Sequence, residues 1–145
     1  MKTIVIVSGG FDPIHSGHIQ YFKEARTLGD ILVVALCSDN WLVNKKGNFF
    51  MSWEERSSVI SELKSVDYVI DFNDDEVGSS IDSITKVLNM FPEDNVIFAN
   101  GGDRTKENIP EMSVVSDRVT FAFGVGGDFK KNSSSDILDR WGKIK

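Results

Sequence analysis

Near its start the chain carries Ile4-Val5-Ile6-Val7, a run that is β-branched and apolar at every position. A run without polar alternation predicts a central strand covered on both faces. It stops at Gly9-Gly10, and from about Gly17 the period becomes helical. Ile19, Phe22, Ala25 and Leu28 recur on one side, Lys23 and Arg26 lie on the other, and Gly29 is placed as a C-terminal stop. Ile31–Leu36 predicts a second buried strand. Ser52 with Glu55 three residues on is a capping-box signature, and Arg56, Val59, Ile60 and Leu63 continue a helical period behind it. Tyr68-Val69-Ile70 predicts strand three, and Ile81, Ile84, Val87 and Leu88 the next helix. Val96–Ala99 and Val119–Phe123 predict strands four and five, and Ile137, Leu138, Trp141 and Ile144 mark a last helix.

Strands alternating with helices of this length imply right-handed crossovers. The predicted class is therefore α/β: a doubly wound, mainly parallel five-stranded sheet with helices on both faces. Such sheets bind ligands beyond the carboxyl ends of their strands, where the strand order reverses. The chemistry is thus expected on the loops after strands one, four and five, which are Ser8–His18, Asn100–Pro110 and Gly124–Ser135. These loops hold most of the glycines and both histidines.

In the first loop, Gly9, Gly10 and Gly17 let backbone approach a ligand, and the helix that follows offers unpaired N–H groups to an anion such as a phosphate. His15 and His18 are three apart, so a helix starting near Ser16 lets both imidazoles address one site as charge-stabilising donors. A metal pair is the rival reading. It is disfavoured because only Asp12 is at hand to complete a site that normally takes three protein ligands. Ser133, Ser134 and Ser135 precede the last amphipathic helix, where hydroxyls and free N–H groups together form a second phosphate cradle.

Length, charge and cysteine content narrow the class. At 145 residues the chain suits one domain over residues 1–145. A formal net charge of −6 argues against a protein that works by neutralising nucleic-acid phosphates. Cys37 is the single cysteine, so neither an intrachain disulfide nor a multi-cysteine zinc site can form. The apolar run at Ile4–Val7 is far short of the ~18 residues of a membrane span or of a secretion signal core. No nucleic acid, no membrane and a reducing cytoplasm are the resulting expectations.

The decapeptide Gly9-Gly10-Phe11-Asp12-Pro13-Ile14-His15-Ser16-Gly17-His18 resembles the H-x-G-H signature of the nucleotidylyltransferase superfamily, which includes cytidylyltransferases and small adenylyltransferases. The likeness continues through Leu28-Gly29-Asp30 and Val33-Val34-Ala35 into Ser38-Asp39. It implies a Rossmann-like fold and an enzyme in which a phosphate of one substrate attacks the α-phosphorus of a nucleoside triphosphate in line, expelling pyrophosphate. Such a reaction needs positioning and charge neutralisation rather than covalent catalysis, with magnesium brought mainly by the triphosphate.

Carried over by position, the resemblance makes His15, His18, Lys45 and Lys46 catalytic, the two lysines in a mobile loop after strand two. It assigns Gly9, Gly10, Phe11, Asp12, Gly17, Gly102, Asp103, Arg104, Ser133, Ser134 and Ser135 to the nucleotide. Arg56, Lys64 and Lys130 are expected to bind substrate or phosphate, with a surface ion pair the alternative for Arg56. Lys64 stands where similar cytidylyltransferases have an arginine, and the Arg-Thr pair they carry before the serine run is absent, so a bidentate phosphate contact does not carry over. Leu28-Gly29-Asp30 and Ser133–Ile137 favour CTP. The head Gly9–Ile14 and the loop Gly101–Arg104 also suit an ATP-dependent, heptose-phosphate type of adenylyltransferase. A nucleotide-binding protein without turnover is the further alternative. Phe49, Phe50 and Trp53 would serve a homodimer interface, a lid or the core.

Overall fold

The computed structural model describes residues 1–74, 79–102, 108–114, 116–126 and 133–144. Five strands are present among them: β1 (Thr3–Gly9), β2 (Ile31–Leu36), β3 (Tyr68–Ile70), β4 (Asn95–Ala99) and β5 (Val119–Ala122). They pair in the order β3-β2-β1-β4-β5, and every pairing is parallel. The order reverses between β1 and β4, which makes the ends of these two strands the crevice expected of a doubly wound sheet. The α/β class is as the patterning predicts.

Five helices are described: α1 (Ser16–Arg26), α2 (Asp39–Lys46), α3 (Trp53–Ser61), α4 (Ile81–Met90) and α5 (Ser134–Ile144). One core face joins Ile4, Ile6, Val33, Ala35 and Phe98 of the sheet to Ile84 and Val87 of α4. The other joins Val5, Val7, Leu32 and Val34 to Phe22 and Ala25 of α1 and Ile60 of α3. Consecutive residues of β1 and β2 thus enter opposite cores, which is why those runs are apolar without alternation.

Three sequence expectations need correction here. The stretch after β2 is a helix, not a mobile loop, and Lys45 and Lys46 form its last turn. Its signals are local: Ser38 caps it by accepting from the Trp41 N–H, Asp39 sits in the first turn, and Gly47 closes it at φ +89°. Gly29 does not itself cap α1, which ends at Arg26 with Thr27 as its C-cap. It is small because a Cβ there would lie 2.7 Å from the Thr3 carbonyl oxygen of β1. Leu28 lies past the end of α1 and is exposed rather than core.

Candidate active site

The site is built on the turn between β1 and α1. Phe11 takes φ +48°, a left-handed backbone that side chains seldom adopt, and the Asp12–Pro13 peptide is cis. The Phe11 ring is buried, edge-on to Phe22 at 5.0 Å on the core side and edge-on to His18 at 4.9 Å on the site side. The ring is a wall between core and site, so a nucleotide contact expected of Phe11 falls to its main chain.

His15 is the N-cap of α1, and its Nδ1 accepts from the Gly17 N–H at 3.0 Å. His18 returns the contact, its Nδ1 accepting from the His15 N–H at 3.2 Å. The imidazoles stack with centroids 3.7 Å apart and planes 22° from parallel. With both Nδ1 atoms accepting, the neutral rings carry their protons on Nε2, a tautomer assigned from the hydrogen bonds. The sequence places the two histidines together, and the structure adds which nitrogens cap the helix.

Asp12 is 2% exposed, and its carboxylate accepts from the backbone N–H groups of Phe50 at 2.6 Å and Met51 at 2.7 Å. The nucleotide contact expected of this side chain is therefore corrected: both oxygens are committed to the segment joining α2 to α3. Arg56 is neither a surface residue nor a phosphate ligand, because it is 1% exposed with protein acceptors around it. Its Nε donates to the Met51 carbonyl, Nη1 to the carbonyls of Gly10 and Cys37, and Nη2 to Asp39 Oδ1, all within 2.8–2.9 Å.

Above the strand ends, α2 packs directly on the first loop: a Cβ on Gly10 would lie 2.9 Å from Leu42 Cδ2 and 3.3 Å from the Trp41 ring. Lys45 Nζ stands 4.7 Å from the centroid of that same ring. At the other side, Ser134 Oγ donates to the Pro13 carbonyl at 2.8 Å, which brings the start of α5 against the first loop. Ser133 caps α5 through its hydroxyl and carbonyl, and Ser135 is exposed in the first turn.

The ends of β4 and β5 lean on α1. Tyr21 donates its hydroxyl proton to the Ala99 carbonyl, Val125 N–H donates to the Asn100 carbonyl, and a Cβ on Gly101 would lie 3.3 Å from the Tyr21 ring. Gly102 follows at φ +63° in a turn. Asp103, Arg104 and Lys130 lie outside the described residues. Lys64 is not brought to the site. It is exposed in the turn before β3, where Asp67 bonds to Leu32 at the start of β2 and pairs with Arg26 at the end of α1. That is the amino end of the sheet, opposite the histidines, so the phosphate contact expected of Lys64 is corrected.

Sequence reasoning missed a cleft of about 260 Å³ at the ends of β2 and β3, lined by Ser38, Asp39, Trp53, Asp71, Phe72 and Asn73 among others. Trp53 is half-buried there, its indole N–H donating to the Leu36 carbonyl. Ser38-Asp39 was the signal in the sequence, and only the pairing of β2 with β3 sets Asp71 and Asn73 beside it.

A model of the cytidylyltransferase-like family matches residues 6–137. The chain belongs to the cytidylyltransferase-like family. It carries a nucleotidyltransferase domain of that kind, as its decapeptide implies. The bifunctional protein HldE of Syntrophotalea carbinolica is 34% identical over 145 residues, which cover 97% of this chain and 28% of that protein. HldE of Helicobacter pylori is 45% identical over 76 residues, covering 51% of this chain and 16% of that protein. The chain thus spans well under a third of the length of these relatives. Among solved structures, the lipopolysaccharide core biosynthesis protein of Thermoplasma volcanium is 27% identical with a TM-score of 0.63, over 85% of this chain and 96% of that one. A candidate nicotinate-nucleotide adenylyltransferase from Vibrio parahaemolyticus, at 16% identity and TM-score 0.68, covers all of this chain and 90% of that one, and bears out the fold alone.

Proposed function

We propose that the chain transfers a nucleoside monophosphate from a nucleoside triphosphate to the phosphate of a small phosphorylated acceptor. The observation that carries this reading is the 2.8 Å bond from Ser134 Oγ to the Pro13 carbonyl, which draws the start of α5 to the turn that opens α1. Two helix N-termini, serine hydroxyls and the histidine pair then share one region, a setting suited to a polyphosphate. An acceptor phosphate oxygen forms the new bond to the α-phosphorus while the α–β bridging bond breaks, its electron pair leaving with pyrophosphate. The Nε2 atoms of His15 and His18 and the ammonium groups of Lys45 and Lys46 stabilise the charge that spreads during this exchange, and no residue need become covalently modified.

Among the described residues no group of three or more His, Cys, Asp or Glu side chains is placed to hold a metal ion. Magnesium belongs in this reading to the triphosphate oxygens, where it would supply charge neutralisation. A phosphate is ill suited to the cleft at β2 and β3, where Asp39 and Asp71 line the wall. Carboxylates, an amide and an indole are instead suited to a hydroxylated carbon chain, so the cleft receives the sugar or polyol part of the acceptor and the phosphate points toward the lysines.

The head Gly9–Ile14 supports an ATP-dependent, heptose-phosphate type of transfer, and the likeness to a lipopolysaccharide core biosynthesis protein agrees with a sugar phosphate as acceptor. CTP is the second reading, favoured by the Ser133–Ile137 run. Phe49 and Phe50 stand exposed and would be available to a homodimer, and the lone, buried Cys37 suits a reducing cytoplasm. No helix among the described residues is long and apolar enough to cross a membrane. The test is pyrophosphate release with magnesium, offering ATP and CTP each against heptose 1-phosphate, glycerol 3-phosphate, choline phosphate and ribitol phosphate. Release from ATP with the sugar phosphate is expected. Release only from CTP would select the second reading, and triphosphate binding without release from any pair would favour a non-catalytic nucleotide-binding protein.

A further inference from the structure

The geometry points to Arg56 and Asp12 as a two-part clasp that sets the phosphate loop, the lysine helix and the acceptor cleft at fixed positions relative to one another. Both side chains are buried, Asp12 bonded to two backbone N–H groups and Arg56 to three carbonyls and one carboxylate. Arg56 holds the Gly10 carbonyl of the phosphate loop, the Cys37 carbonyl at the end of β2, and the carboxylate of Asp39, which opens α2 and lines the cleft. Its fourth bond goes to the Met51 carbonyl, while Asp12 takes the Met51 N–H. One peptide segment, the link from Lys46 to α3, is therefore gripped at Met51 by a cation on its carbonyl and an anion on its N–H.

In-line transfer needs the attacking oxygen, the α-phosphorus and the stabilising cations aligned to within a fraction of an ångström, and small misplacements cost orders of magnitude in rate. The three parts of this site sit on three separate segments: the loop of residues 10–15, α2, and the walls at β2 and β3. The guanidinium spans all three because it offers five N–H donors in a rigid fork, four of which are used here. An ammonium cannot span them. Arg56 and Asp12 are accordingly positioning residues, acting through the groups they hold rather than on substrate. A fold needs no such bridge for stability alone, since a buried ion is readily replaced by apolar packing.

The inference rests on the nucleotidylyl-transfer reading above. Its test measures steady-state pyrophosphate release on the pair the wild-type chain turns over, and direct triphosphate binding by calorimetry, for Arg56→Lys, Asp12→Asn and the double variant, all below their melting temperatures. Arg56→Lys is expected to lower kcat at least tenfold while the Kd for the triphosphate stays within threefold, because the bonds that build the two helix starts, Gly17 N–H to His15 and Ser134 to the Pro13 carbonyl, do not involve Arg56. Asp12→Asn should do the same, and the double variant should lose little more than the worse single one, since both grips act on Met51. Should Arg56→Lys fail to fold, Asp12→Asn and Asp39→Asn carry the same kcat-against-Kd comparison. Unchanged kcat in a folded Arg56→Lys, or fully multiplicative losses in the double variant, would overturn the clasp and leave the transfer reading standing. Absence of release from any wild-type pair would remove the reading and this inference together.

Discussion

His15 and His18 cap the same helix turn through their Nδ1 atoms, and in doing so fix which nitrogen each ring presents as a donor. The stacking at 3.7 Å and the edge contact of Phe11 on His18 hold both rings against rotation. Donors held in place before the substrates arrive need no reorganisation when charge develops, which is the condition under which such groups matter most.

This double use separates in two variants. His18→Ala should lower turnover by ~10²-fold or more. It should also remove a capping bond that contributes about 1 kcal/mol, visible as a lower melting temperature. His18→Asn keeps a side-chain oxygen where Nδ1 accepts from the His15 N–H, so its melting temperature should stay near wild type while turnover falls as far. Equal melting temperatures for both variants would show that the cap contributes nothing.

Lys45 and Lys46 end a helix that packs on Gly10, so their ammonium groups are carried on a fixed support. Lys45→Ala combined with Lys46→Ala should reduce kcat by ~10²-fold, on the scale of other removed charge-stabilising groups, with little change in thermal stability. Turnover within twofold of wild type would exclude the pair from the reaction.

Lys64→Ala gives the opposite expectation. Lys64 is exposed in the turn before β3, at the amino end of the sheet, so pyrophosphate release should stay within about twofold, surface changes of this kind having small effects. A large loss would mean that a second copy of the chain brings this end to its site.

Two glycines make a matched pair. Gly29→Ala sets a methyl 2.7 Å from the Thr3 carbonyl and should destabilise by about 1–3 kcal/mol, measured by urea unfolding, with kcat per folded molecule unchanged. Gly10→Ala meets the far end of Leu42 at 2.9 Å, which can yield, so stability should fall less while kcat falls more as α2 shifts with its lysines.

The two-faced strands, their order along the chain and the histidine turn were legible because each is written locally, in runs of β-branched residues and in one dense decapeptide. The helix α2 was written locally too, in Ser38 and Gly47, but its few apolar positions gave no helical stripe to follow. Asp12 and Arg56 misled for a different reason. A buried charge and a ligand-binding charge look identical in a sequence, and only the backbone groups of Met51, Gly10 and Cys37, distant along the chain, decide between them. The cleft was illegible because Asp39 and Asp71 meet only through the pairing of neighbouring strands.

Helix α1 carries His18 in its first turn and Tyr21 one turn later, the latter bearing on Ala99, Gly101 and Gly126 at the ends of β4 and β5. The angle between these residues around the helix axis is one register that relates the histidines to the ends of β4 and β5. Adding a single residue between them, even an alanine that suits the helix, would turn one relative to the other by about 100°. Along α1, then, the spacing of residues is more tightly set than their identity, and loss or gain of one residue there should silence a chain that still folds.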